Sequence, residues 1–139
     1  MNKTAWFALW GGIFILCAGL GFLPEPSGLL GWALTGLSLL FFLPPAVLYL
    51  DAVRDGDRLT LKLLRNLSLS SLAATVALLI ANFLSVGASE GVGNLLYTLL
   101  VIVSAPMVCS GYWLLSLFLW ACLLISSKKA LKNLSSRAE

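Results

Sequence analysis

Long apolar stretches that alternate with short polar segments organise this chain. The hydrocarbon core of a bilayer is about 30 Å thick, and an α-helix needs about 20 apolar residues to cross it. The pattern predicts four transmembrane helices, at approximately residues 4–23, 28–50, 63–86 and 95–126. We therefore expect an all-α, polytopic membrane protein, a four-helix bundle formed by a single membrane domain over residues 1–139.

Local sequence signals mark where these helices stop and start. Two prolines and a glycine in residues 24–28 predict a tight turn between the first two spans. Gly56 is a plausible helix stop, and Asp57 is a plausible N-cap for the third helix. On this interpretation Lys62 and Arg65 extend their charged ends towards cytoplasmic lipid headgroups.

Prolines inside the apolar stretches predict kinks at Pro44-Pro45 and at Pro106, because each proline removes a backbone donor and clashes one turn back. The last stretch is also long, since residues 95–125 would extend about 46 Å as one straight helix. Two interpretations remain open. This stretch is either one kinked, tilted helix, which we favour, or an outer half-helix followed by a span.

The charged residues predict the orientation. All nine Lys and Arg residues fall at the start, in the middle or at the end of the chain. The only charged residues in the stretches between these segments are Glu25 and Glu90. Cytoplasmic loops carry an excess of Lys and Arg. We therefore predict that both termini are cytoplasmic, in a multi-pass protein of the cell membrane.

Composition agrees with a membrane environment and argues against nucleic-acid binding. The chain is 60% hydrophobic and 11% charged, whereas soluble domains carry about 25% charged residues. The net charge of +3 comes from cations that flank apolar spans and do not form a patch. The lipid bilayer is thus the first expected partner, and no nucleic acid is expected.

Small residues recur at helical spacing within the apolar stretches. Such residues allow helix backbones to approach closely in lipid, where no hydrophobic force drives helices together. The stripes either face one another inside one bundle, which we favour, or face a second copy or a partner membrane protein. The predicted helix-packing residues are Gly12, Gly31, Ser70, Ala74, Ala81 and Gly111.

The sequence contains few of the residue types that usually form catalytic or metal sites. Histidine and paired-cysteine motifs are absent, so we expect no catalytic residue, metal site or cofactor. The most polar position deep in an apolar run is Asn82, which could join Asn94, Tyr97 and Thr98 in a small-ligand or interhelical polar cluster.

Three function classes follow from this pattern. The leading hypothesis is a non-enzymatic membrane protein that acts through helix contacts as an accessory, assembly or regulatory subunit. The alternative is a small permease or oligomeric pore, holin-like or channel-like, suggested by the kinks. An intramembrane lipid-modifying enzyme is a remote alternative, which would rely on Asp51, Asp55 and Asp57.

Overall fold

The computed structural model describes residues 2–22, 28–85, 90–105 and 113–136. Within these residues every regular element is a helix, which confirms the all-α prediction. The helices are α1 (Lys3–Leu20), α2 (Leu29–Phe41), α3 (Leu43–Asp55), α4 (Arg58–Leu84), α5 (Glu90–Val103) and α6 (Trp113–Ser136).

Four helical segments of the described chain are long and apolar enough to cross a membrane, as the sequence predicts. These are Lys3–Leu20, Leu29–Asp55, Arg58–Leu84 and Leu114–Ser136. The second segment extends beyond the predicted end at residue 50, because the helix continues through its charged final turn. The third starts at Arg58, with Asp57 as its N-cap.

The turn between α3 and α4 is formed as its sequence signals predict. Gly56 takes the left-handed backbone conformation at φ 67°. Residues with a side chain rarely adopt this conformation, whereas glycine adopts it readily. The N–H of Asp57 donates to the carbonyl of Ala52 at 2.8 Å. The Asp57 carboxylate then accepts hydrogen bonds from the N–H groups of Leu59 and Thr60. Both the helix stop and the N-cap are confirmed.

The break in the second segment lies at Phe42, between α2 and α3, two residues before Pro44. Neither Pro44 nor Pro45 has an N–H group that could reach the carbonyl one turn back. The N–H of Phe42 instead donates to the carbonyl of Leu39 at 3.1 Å, a tighter turn than the α-helical one. Phe42 keeps a right-handed helical conformation, so the chain continues from α2 into α3 with little interruption.

The predicted fourth span corresponds to two described helices. At about 1.5 Å per residue, α5 is roughly 21 Å long, which is too short to cross a bilayer core alone. α6 is long enough. Pro106 and Gly111 lie outside the described residues, so the predicted kink and this packing position do too.

α4 forms the most extensive helix contact in the described chain, with α6. Arg58 at the start of α4 donates from Nη2 to the carbonyl of Leu134 near the end of α6 at 2.5 Å. Leu61 and Ala130 belong to one buried cluster. The two helices therefore run antiparallel. α3 packs against α1, α4 and α6, and α5 packs against α4 and α1.

Aromatic residues fill the middle of the molecule. Trp10, Phe41 and Trp120 form a triangle whose ring centroids lie 5.8–6.0 Å apart. Phe42 meets Trp120 edge to face at 5.5 Å. Aromatic pairs in this range contribute about 0.5–1.5 kcal/mol beyond their buried area. This cluster joins α1, the α2–α3 junction and α6.

Candidate functional site

The predicted polar cluster is not joined by hydrogen bonds among its own side chains in the described residues. Asn82 is half-buried, whereas Asn94, Tyr97 and Thr98 are exposed. The Thr98 hydroxyl donates to the Asn94 carbonyl one turn back, within α5. The carbonyl of Asn82 accepts from the Ser85 hydroxyl, again a local contact. The structure thus gives these residues local helix bonds, and a ligand at this end stays a prediction.

The predicted packing residues are spread between the surface and the interior. Gly12 and Ser70 are exposed, and Gly31, Ala74 and Ala81 are half-buried. A Cβ atom added at Gly12 would meet nothing within 4 Å. On α4 the buried polar residues are instead Thr60, Ser68 and Thr75.

The outward face of α1 carries several small residues. Trp10, Ile13 and Cys17 are the buried residues of this helix, and the opposite side is exposed. Cβ atoms added at Gly11, Gly12 or Gly19 would meet nothing within 4 Å. We name the face formed by Ala5, Ala8, Gly12 and Gly19, all of them exposed, the α1 glycine face.

Larger apolar side chains border this face. Leu9 and Leu16 are each about half exposed and Ile15 is 73% exposed. Because residues three and four apart are neighbours on a helix, the small residues lie between these larger ones. The result is a shallow groove, the shape in which another helix can approach closely.

A layer of buried hydroxyl groups crosses the molecule, and sequence reasoning missed it. Ser38, Thr75, Ser104 and Ser116 come from four different segments, and each is at most 3% exposed. Counted at about 1.5 Å per residue from the charged end of the molecule, Ser38, Thr75 and Ser116 lie at similar heights of roughly 25–27 Å. The Thr75 hydroxyl has no hydrogen-bond partner among the described residues. No sequence signal separates these hydroxyls from the exposed Ser70.

Charged side chains meet at the other end of the molecule. The Lys3 ammonium lies 2.8 Å from Oδ2 of Asp57 and 3.5 Å from Oδ2 of Asp55. The Thr60 hydroxyl also donates to Asp57 Oδ2, at 2.7 Å. The hydrogen bond from Lys3, followed by those from Thr60, holds the pKa of the Asp57 carboxyl well below its usual range. The group fastens the start of α1 to the start of α4.

Asp51, Asp55 and Asp57 lie in three different environments. Asp57 is engaged by Lys3 and Thr60, Asp55 is exposed, and Oδ2 of Asp51 is buried without a partner in the described chain. Among the described residues, no three His, Cys, Asp or Glu side chains come together as a metal site.

Comparisons with protein-family models, with curated proteins and with solved structures found no match to this chain.

Proposed function

We propose that this chain is a small integral membrane protein that acts through helix contacts, as an accessory, assembly or regulatory subunit of the cell membrane. The observation that carries the proposal is the α1 glycine face. It is open along α1, and in the described structure nothing lies within 4 Å of a Cβ placed at Gly12 or Gly19.

The membrane part of the proposal is supported by the apolar side chains that the fold leaves outside. Ile15, Trp32 and Phe83 are between 73% and 80% exposed, and they come from three of the four candidate spans. Other large apolar side chains are exposed on every described helix, and apolar surface of this extent is uncommon in soluble monomers. Lipid offers these side chains an apolar solvent.

The orientation part is supported by the grouping of cations. Lys3, Arg58 and the Lys128–Lys129 pair lie at the same end of the described structure, where Lys3 binds Asp57 and Arg58 binds the Leu134 carbonyl. Cytoplasmic ends carry such positive excess. We propose that this end, with both termini, faces the cytoplasm.

The contact part follows from the physics of helices in lipid. Apolar side chains gain nothing by leaving lipid for one another, so association depends on close packing and hydrogen bonds. A helix that shows Ala8, Gly12 and Gly19 on one exposed side allows a partner backbone to approach closely. This face lies opposite the side that α1 uses within its own fold.

Site-specific photo-cross-linking tests the proposal in membranes of the source cell. A photoreactive residue at position 12 should form covalent adducts with a second membrane polypeptide or a second copy of the chain. The matched control is position 36, where Gly36 is also exposed with nothing within 4 Å of an added Cβ. The residues one turn before and after it, Trp32 and Leu40, are large and exposed, so a partner backbone is held further away there.

The variant Gly12→Leu should abolish the adducts formed from a probe at position 8, because a leucine fills the groove. Gly36→Leu should leave those adducts unchanged. Equal adduct yields from positions 12 and 36, or a protein that stays monomeric and captures nothing in its own membrane, would overturn the helix-contact function.

The buried hydroxyl layer favours a second candidate, a small permease. Ser38, Thr75 and Ser116 bring polar groups from separate helices to one height of an apolar interior. A solute path through one copy would have to pass this layer. Liposomes that contain the purified protein should then show solute flux that Thr75→Val reduces. Absence of flux for a panel of small ions and metabolites would dismiss this candidate.

A further inference from the structure

The antiparallel pair of α4 and α6 brings cations to one side of the molecule. Leu61 and Ser127 are both fully buried, and Lys62 and Lys128 directly follow them as exposed residues. When two helices pack antiparallel, the residue that follows a contact residue lies on the same side of the pair for both helices. Lys62 and Lys128 therefore flank the same side of the α4–α6 contact.

These cations also lie at similar heights. Arg58 is opposite Leu134, as their hydrogen bond shows. From that level, Lys62 and Lys128 lie roughly 6–9 Å further along their helices at about 1.5 Å per residue. Lys132 follows Lys128 by one turn on the same face. We name Lys62, Arg65, Lys128 and Lys132 the α4–α6 cationic cluster.

Arg65 extends the cluster on α4 and is held in place. Its Nε and Nη2 atoms donate to Oδ1 of the neighbouring Asn66 at 3.2 and 3.0 Å. The side chain is half-buried, in contrast to the exposed Lys62. A guanidinium fixed in this way keeps its other N–H groups for an anion, and its planar fork suits phosphate oxygens.

No carboxylate of the described residues forms an ion pair with the cluster. Within the described residues, the ion pairs join Lys3 to Asp55 and to Asp57, and neither pair involves a cation of the cluster. Like charges that are brought together without an acid repel one another, and a bound anion relieves that repulsion.

Apolar surface continues directly from the cluster along both helices. Leu69 lies two turns beyond Lys62 on the same face of α4 and is 53% exposed. Ile125 lies one turn from Lys128 on α6 and is 64% exposed. A ligand that matches both parts carries a negative head and long apolar chains. An acidic protein or a free nucleotide would leave the apolar part unused.

We propose that the α4–α6 cationic cluster binds the phosphate headgroup of an anionic phospholipid, whose acyl chains lie along Leu69 and Ile125. This inference depends on the proposed insertion in a membrane and is independent of the helix-contact role. Basic sites between transmembrane helices at the cytoplasmic side recognise anionic headgroups in this manner.

Lipid binding to the intact protein tests the proposal, by native mass spectrometry of protein released from detergent with added phosphatidylglycerol or phosphatidylcholine. The wild type should retain phosphatidylglycerol in preference to phosphatidylcholine. Since each cation near an anionic surface contributes about a fivefold factor in binding, the double variant Lys62→Gln/Lys128→Gln should lose roughly tenfold or more of that preference.

The matched control is Arg54→Gln/Lys129→Gln, which removes the same charge from exposed positions outside the cluster. It should change the preference less than about twofold if the cluster is a site. Equal losses in both double variants, or no loss in either, would overturn the site. Displacement of phosphatidylglycerol by inorganic phosphate at constant ionic strength would overturn the lipid as occupant.

Two outcomes separate this inference from the proposed function. If alkaline carbonate releases the chain from membranes, the membrane function itself fails. If the chain stays in the membrane and keeps its adducts from position 12, but the double variant binds phosphatidylglycerol like the wild type, only the lipid site fails.

Discussion

Asp57 joins two parts of the molecule through a single carboxylate. Its Oδ1 atom accepts the N–H groups of Leu59 at 3.0 Å and of Thr60 at 3.2 Å, which caps α4. Its Oδ2 atom accepts from the Thr60 hydroxyl and from the Lys3 ammonium, which ties α1 to the same point. One side chain therefore supports a helix start and a contact between helices that are distant in sequence.

Replacing this residue should lower stability measurably. Asp57→Ala should reduce the free energy of unfolding by about 1–2 kcal/mol, because it removes the N-cap and an ion pair together. Asp55→Ala is the matched control, since the Asp55 carboxylate lies 3.5 Å from Lys3 and its side chain is more exposed than that of Asp57. We expect a loss below about 0.5 kcal/mol there. Unfolding in mixed micelles with increasing SDS measures both values.

The same residue should make stability depend on pH. The pKa of Asp57 is lower in the folded protein than in the unfolded chain, because the folded carboxylate accepts hydrogen bonds from Lys3 and Thr60. Its contribution is therefore complete above the unfolded value of about 4 and declines as the pH falls below it. Asp57→Asn should flatten that decline in acid unfolding curves. An unchanged slope between about pH 2 and 4 would show that other carboxylates cause it.

At the scale of helices, the sequence predicts ends better than contacts. Gly56 and Asp57 form their capping contacts with residues about one turn away. The end of α3 and the start of α4 can therefore be predicted from the local sequence. The break between α2 and α3 was predicted at Pro44-Pro45 and lies at Phe42, because a missing proline N–H affects the turn before it. The approach of α5 to α1 has no such local signal.

That approach can be tested with a disulfide. A Cβ atom at Gly21 would lie 3.2 Å from Cγ1 of Val101, which is compatible with the Cβ separation of about 3.5–4.5 Å in disulfides. In a chain with its three native cysteines replaced, Gly21→Cys with Val101→Cys should oxidise to an intramolecular disulfide. Gly19→Cys with Val101→Cys is the control, since Gly19 faces open space.

Mobility on non-reducing gels and mass spectrometry measure this cross-link. A bond in the control and none in the test pair would contradict the contact between α1 and α5. The result bears on the second half of the chain, where α5 is too short to span a bilayer alone.

At the scale of the whole molecule, charge should decide the orientation of the helices in the proposed membrane setting. Lys3, Asp57 and Arg58 bring the start of α1, the start of α4 and the end of α6 together, so these points must lie on one side. We expect Ser135→Cys to react with an impermeant maleimide only after the cells are permeabilised. Gly28→Cys, at the start of α2, should react in intact cells.

These labelling positions are both exposed in the described structure, so burial would not explain a difference in reactivity. Labelling of both cysteines from the outside would contradict the predicted orientation and would remove the cytoplasmic setting of the cationic cluster. Labelling of neither would indicate that position 28 is shielded, and Asn94→Cys on the exposed part of α5 then supplies a second outer position.

By itself the sequence determined that the chain is helical, that four segments are long and apolar enough to cross a bilayer, and where α3 stops and α4 starts. The length and apolarity of a segment and the capping of a helix depend on residues that are close in sequence. These features can therefore be predicted without knowing the tertiary structure. Only the tertiary structure decided which faces are buried: Gly12 lies outside, while Ser68 and Thr75 lie inside. When a helix is apolar on every side, its sequence pattern does not distinguish the face that packs against protein from the face that is exposed. The pairing of Lys3 with Asp57 and the alignment of Lys62 with Lys128 likewise depend on how distant helices pack.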